Sequence, residues 1–109
     1  MAKVGYICEY SQDQTLEQQI TMFNRLEIDK FFCEKISEKS FNRSEFQKLL
    51  NWIRAGDCVI IPSLACLGRE YEELRQIVVL LQQKNVSLRI LEMPSLNIDT
   101  IDMFLSIFN

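Results

Sequence analysis

Asn42-Arg43-Ser44-Glu45-Phe46-Gln47-Lys48-Leu49-Leu50-Asn51-Trp52-Ile53-Arg54-Ala55-Gly56-Asp57-Cys58-Val59-Ile60-Ile61-Pro62 changes its hydrophobic period once, and that change decides the fold. Asn42 to Glu45 has the shape of a capping box, in which two side chains satisfy the free N–H groups of a helix start. Phe46, Leu49, Leu50 and Ile53 then recur at helical spacing and give one apolar stripe. The pattern predicts a helix ending at Ala55-Gly56, where glycine suits the left-handed residue after a helix. Cys58 to Ile61 is a short continuous apolar run, the mark of a strand buried on both faces, and Pro62 stops it. Helix, tight turn and buried strand in succession make one unit of an α/β domain.

The same alternation extends outward in both directions. Val4 to Cys8 reads as a first buried strand. Gln14 to Leu26 carries Leu16, Ile20 and Phe23 at helical spacing, with Ser11 or Asp13 as its cap. Asp29 to Cys33 reads as a second strand, and Ser37 to Phe41 as a loop. Beyond Pro62, a loop leads to Leu67-Gly68. Glu70 to Gln83 forms an amphipathic helix on Leu74, Ile77, Val78 and Leu81, and Val86 to Leu91 a fourth strand. Asp99 to Phe108 starts a last helix so apolar that it needs a partner surface, in its own domain or in a second subunit. The expected architecture is α/β with three layers and a four- or five-stranded, mostly parallel sheet flanked by helices. Phe46 and Trp52 are expected in the core.

Composition narrows the chemistry. The chain has 109 residues, 48% of them hydrophobic and 25% charged, which is enough for one core and one domain. No apolar run is long enough to span a bilayer, and the N-terminus lacks signal-peptide character. No membrane partner is expected, and a cytoplasmic location follows. The net charge is −3, so there is no basic surplus for holding a duplex unaided. There is no histidine, which removes Ser-His-Asp and Cys-His catalysis. The four cysteines, Cys8, Cys33, Cys58 and Cys66, form no metal-ligand spacing. No metal or other cofactor is expected. Cys33 and Cys58 fall on strands that should bury them.

Several segments in order resemble one family. They are Gly5-Tyr6 in the first strand, Asp13-Gln14 with Leu16 and Gln19, Glu34-Lys35 with Ser37 in the loop after the second strand, and Asn42-Arg43 with the helix to Leu50. Gly56-Asp57 and Leu64-x-x-Leu67-Gly68-Arg69 complete the set. Together they resemble the N-terminal catalytic domain of the serine site-specific recombinases, the resolvases and invertases, over about residues 3 to 95. The resemblance implies a serine that attacks a DNA phosphodiester without a metal, surrounded by arginines that neutralise the phosphate. Such a hydroxyl needs preorganised donors for the charge that builds in the transition state.

Four positions depart from the family pattern. Where "G-Y-x-R-x-S" is usual, Cys8 replaces the arginine and Tyr10 the nucleophilic serine. Where "L-D-R-L-G-R" is usual, Ala65 replaces the aspartate and Cys66 the central arginine. Arg43 and Arg69 remain as phosphate- or DNA-binding candidates; their structural alternative is salt bridging to Glu45 or Glu70 at the helix ends. The resemblance also brings Cys8 and Cys66 close together, as neutral replacements or as a redox or metal pair. Tyr10 is read as filling the pocket rather than attacking DNA, since a tyrosine nucleophile works elsewhere with histidine. Ser11 is read as a loop or capping hydroxyl, with a displaced nucleophile as the alternative. The expected function is therefore a domain related to DNA site-specific recombination, without catalysis, acting as a dimerisation or regulatory module. The alternative is an active serine recombinase working through Ser11. Partners expected by resemblance are a second copy or a related recombinase, joined through the last helix, and DNA. Residues 1–109 are expected to be one catalytic-like domain, cut short in that helix and followed by no DNA-binding domain.

Overall fold

A computed structural model describes residues 1–10, 20–21, 23, 26–36, 43–68, 70–94 and 100–101, with the side chains of Tyr10 and Ile36 outside the description. The described elements are β1 (Lys3–Tyr10), β2 (Lys30–Ile36), α1 (Ser44–Trp52), β3 (Cys58–Ile61), a 3-10 turn (Leu64–Cys66), α2 (Tyr71–Gln83) and β4 (Ser87–Ile90). The four strands form one sheet in the order β2-β1-β3-β4, and every pairing is parallel. This is the expected α/β architecture. Most of the helix expected from Gln14, the loop at Ser37 to Phe41, and the last helix past Ile101 lie outside the described residues; Ile20 and Thr21 are helical, with Ile20 exposed rather than on an apolar stripe and Phe23 buried.

β1 and β3 hold the centre, and their apolar runs follow from that position. Val4, Tyr6 and Cys8 point to one face of the sheet, where Phe46, Leu49, Leu50 and Ile53 meet Ile77, Val78 and Leu81. Ile7 and Ile60 point to the other face and pack with Phe23. Gly5 lies under the Phe31 ring: a Cβ there would stand 2.8 Å from two ring carbons and 3.3 Å from Phe23. The absence of a side chain at Gly5 lets two aromatics close directly over the central strand. Ile101, at the described start of the last helix, is fully buried in the larger core.

Several boundaries differ from the sequence expectation. β2 runs on to Ile36, so Glu34 and Lys35 are strand residues rather than loop. α1 stops at Trp52, and Ile53 is extended with ψ 155°. Gly56 does adopt a positive φ of 94°, but in the turn after the helix rather than at its cap. Asp57 builds that turn. Its Oδ2 accepts the Arg54 N–H at 2.9 Å and its Oδ1 accepts the Ala2 N–H at 2.9 Å. The start of β1, the turn and β3 are thus tied by one carboxylate. Trp52 is 41% exposed, not core, because it sits off the Phe46–Leu49–Leu50–Ile53 stripe; its ring meets the edge of Phe32. Phe46 is buried as expected. Cys33 and Cys58 are only half-buried, since the face they share is covered partly by Phe23, Leu26 and Ile28.

The capping box is replaced by a longer-range device. Arg43 is the N-cap and makes no side-chain cap, while Asn42 lies outside the described residues. The Glu34 carboxylate, from β2, accepts the Glu45 N–H at 2.9 Å. At the other end of the chain, α2 finishes in a Schellman turn. Asn85 is left-handed at φ 58°, its N–H reaches the Gln82 carbonyl at 3.0 Å, and the Val86 N–H reaches that of Leu81 at 3.4 Å. Asparagine serves here because its side chain tolerates that conformation.

Asp57 carries a prediction. Two backbone N–H bonds, from Ala2 and then Arg54, hold its carboxyl below the usual range. A lowered pKa in the folded state contributes stability above the ordinary carboxylate value and loses it as pH falls through the lowered value. Asp57→Ala should cost about 2 kcal/mol at neutral pH, because two donors lose a charged acceptor. Urea unfolding at neutral and acidic pH checks both points: the gap between the two proteins should shrink in acid.

Candidate functional site

The parallel sheet reverses its winding beside β1, with β2 on one side and β3 on the other. In open α/β sheets the crevice at the carboxyl ends of such strands is where ligands bind. The sequence candidates gather there. Cys8 and Tyr10 lie near the end of β1, Ala65 and Cys66 on the turn after β3, and Arg43 at the start of α1. Ser11 and Arg69 lie outside the described residues. Among the described residues no group of three His, Cys, Asp or Glu side chains is placed to hold a metal ion, and no helix is long and apolar enough to cross a membrane.

Arg43 is the hub. Its Nη1 donates to the Cys66 carbonyl at 2.8 Å and to the Tyr6 hydroxyl at 3.2 Å. Its Nε and Nη2 hold Oε1 of Glu73 at 3.2 and 3.1 Å. One guanidinium therefore joins β1, the 3-10 turn and the first turn of α2. For Arg43 the partner is Glu73 rather than the expected Glu45, which pairs with Lys48 at 3.0 Å. Burial works against the Arg43 cation, but Tyr6, Cys8 and Glu73 outweigh it and its pKa ends above the ordinary value.

Cys8 and Cys66 do come together. The Cys8 thiol donates to the Cys66 carbonyl at 3.0 Å across 58 positions of sequence, and both residues are buried. The Cys66 side chain beside it and burial push the Cys8 thiol up, while the Cys8 side chain draws the Cys66 thiol down. Ala65, next to Cys66, is exposed. Tyr6 is fully buried and stacks edge-on against Phe46, with ring centres 5.2 Å apart. Burial raises its phenol far above the ordinary value, so it acts only as a neutral hydroxyl.

Three members of this cluster were not singled out as site residues from sequence. Tyr6 passed as part of a strand motif. Glu73 sits in the first helical turn, where an acid is ordinary. Glu34 is 2% exposed, and its Oε1 is buried without a hydrogen-bond partner among the described residues. Its signal was available: Phe32 and Glu34 share a face at strand spacing, which puts a carboxylate on a core face.

The family model for "Resolvase, N terminal domain" matches residues 4–108. The chain belongs to the resolvase family. It is 32% identical over 90 residues to the transposon Tn501 resolvase of Pseudomonas aeruginosa, covering 83% of this chain and 47% of that protein. It is 33% identical over 84 residues to the Tn21 resolvase of Escherichia coli, covering 77% and 44%. This resolvase domain thus spans about half the length of the curated relatives it matches. A crystal structure of a resolvase-family site-specific recombinase from Streptococcus pneumoniae superposes with a TM-score of 0.66, covering 98% of this chain and 83% of the other. At 17% identity that likeness speaks for the resolvase fold alone. The chain is a resolvase-family domain related to site-specific recombination.

Proposed function

We propose that this resolvase-family domain does not cut DNA and acts by association, with a second copy of itself or with an active recombinase whose assembly it regulates. The observation that supports this most is the engagement of Arg43. On the family pattern Arg43 holds the phosphate, yet here its guanidinium is spent on Glu73, Tyr6 and the Cys66 carbonyl. A DNA phosphate would have to displace a carboxylate already bound at 3.1 Å. Cys8 and Cys66 stand at two further arginine positions of that pattern and bring no positive charge. Tyr10 stands at the nucleophile. In this reading the domain works in the cytoplasm and reaches DNA through its partner, which suits a chain of net charge −3.

The test is a recombination reaction run by the Tn501 or Tn21 resolvase with increasing amounts of this chain. Mixed assemblies should form, visible by native mass measurement, and recombination should fall as the chain is titrated in. A monomeric mass together with unchanged recombination would sink the proposal.

A further inference from the structure

We propose that Cys8 and Cys66 form a peroxide-responsive dithiol that closes to an intramolecular disulfide between β1 and the 3-10 turn. The geometry separates this pair from the other two cysteines. Cys8 is 1% exposed and Cys66 4%, and the Cys8 sulfur lies 3.0 Å from the Cys66 carbonyl oxygen. Cys33 and Cys58 are half-buried on the far side of the sheet, separated by the width of β1.

The two sulfurs have different roles because their elements differ. Cys8 belongs to β1 and is paired there with Glu34 of β2. Cys66 ends a three-residue turn whose preceding residue, Ala65, is exposed. Bringing Cys66 to solvent requires the turn to move outward and its carbonyl to part from Arg43 Nη1 and the Cys8 thiol, while the sheet itself stays intact. Such an opening admits a peroxide but not a bulky disulfide. The Cys66 thiol is also the more acidic of the two, drawn down by the Cys8 side chain beside it. Among the described residues, the charged and titratable groups acting on the pair are Tyr6 and Arg43, with Glu73 bound to Arg43 and Glu34 acting on Tyr6.

The chemistry balances with hydrogen peroxide as the oxidant. The Cys66 thiolate attacks one peroxide oxygen, an S–O bond forms, the O–O bond breaks, and hydroxide leaves to become water with the proton Cys66 gave up. The Cys8 sulfur then attacks the Cys66 sulfur, the S–O bond breaks, and the hydroxide released takes the Cys8 proton as a second water. Two thiols are oxidised by two electrons, and one peroxide is reduced to two waters. In a reducing cytosol the dithiol is the resting form.

The experiment uses the full chain with all four cysteines. Folded protein is treated with hydrogen peroxide across a pH series, quenched with an alkylating reagent and mapped by peptide mass. One crosslink, Cys8 to Cys66, should appear and should reverse with dithiothreitol. Its rate should rise with pH as the Cys66 thiol ionises, and Cys66 should react roughly tenfold faster than Cys33 at neutral pH. Cys8→Ser should stop the reaction at a sulfenic acid on Cys66 that a dione reagent traps. Oxidation of Cys33 or Cys58 at an equal rate, a crosslink through either of them, or no reaction in the folded protein would overturn the proposal. The wild-type map decides this even where a variant does not fold.

Discussion

Replacing Arg43 with alanine should lower the unfolding free energy by about 3 kcal/mol and the Tm by roughly 12 °C, a change large for one side chain. The size follows from what Arg43 leaves behind. Glu73 is 35% exposed and can rehydrate, so the broken ion pair alone costs little. Tyr6 and the Cys66 carbonyl are enclosed and cannot turn to water. Each loses a donor with a full charge behind it, which costs about 1.5 kcal/mol apiece. Glu73→Gln should therefore cost only about 1 kcal/mol, since Arg43 keeps its other two acceptors. Arg43→Lys should fall between, because an ammonium on one stem cannot reach three elements as a fork does. Thermal and urea unfolding of the three variants gives the order. An Arg43→Ala protein as stable as the parent would mean the guanidinium is not a structural tie, and the case for a blocked phosphate site would weaken with it.

How far this site was legible in sequence depends on the range of each contact. The strands and the two described helices could be read because β3 announces itself as Cys58 to Ile61 and α2 as Leu74, Ile77, Val78 and Leu81. These are local patterns imposed by burial. The end of α1 was misplaced because glycine was taken for a helix cap, when the stop comes from Asp57 folding back on Arg54. The capping box at Asn42 was a local rule applied where a strand residue, Glu34, supplies the acceptor from 11 positions away. The meeting of Cys8 with Cys66 was expected only through resemblance, since no periodicity links residues 58 apart. Glu73 as the Arg43 partner could not be read at all: Glu70, Glu72 and Glu73 are equivalent by composition, and the packing of α2 chooses between them.

The second large effect concerns DNA strand cleavage. Substituted for the matched half of the Tn501 resolvase, so that the remainder of that protein supplies delivery to DNA, this domain should reduce covalent protein–DNA adduct on a suicide substrate by at least about 10⁴-fold. Two kinds of loss act together. Removing one preorganised donor from a transition state costs on the order of 10²–10³ in rate, and on the family pattern Cys8 and Cys66 remove two. Losing the nucleophile is more severe by itself, because no other group then forms the bond, and the losses overlap rather than multiply. Arg43, still present, is charge-neutralised by Glu73 at 3.1 Å and so offers the phosphorane little. The competing reading places the nucleophile at Ser11, one residue beyond Tyr10. On the sequence pattern alone, one step along an extended chain turns a side chain to the opposite face. Ser11→Ala and Tyr10→Phe variants decide between them. If an adduct forms and Ser11→Ala abolishes it, the domain is an active recombinase with a displaced serine; if Tyr10→Phe abolishes it, the tyrosine attacks. An adduct absent in all three proteins, beside a strong one from the unaltered resolvase, supports the proposed non-cutting role.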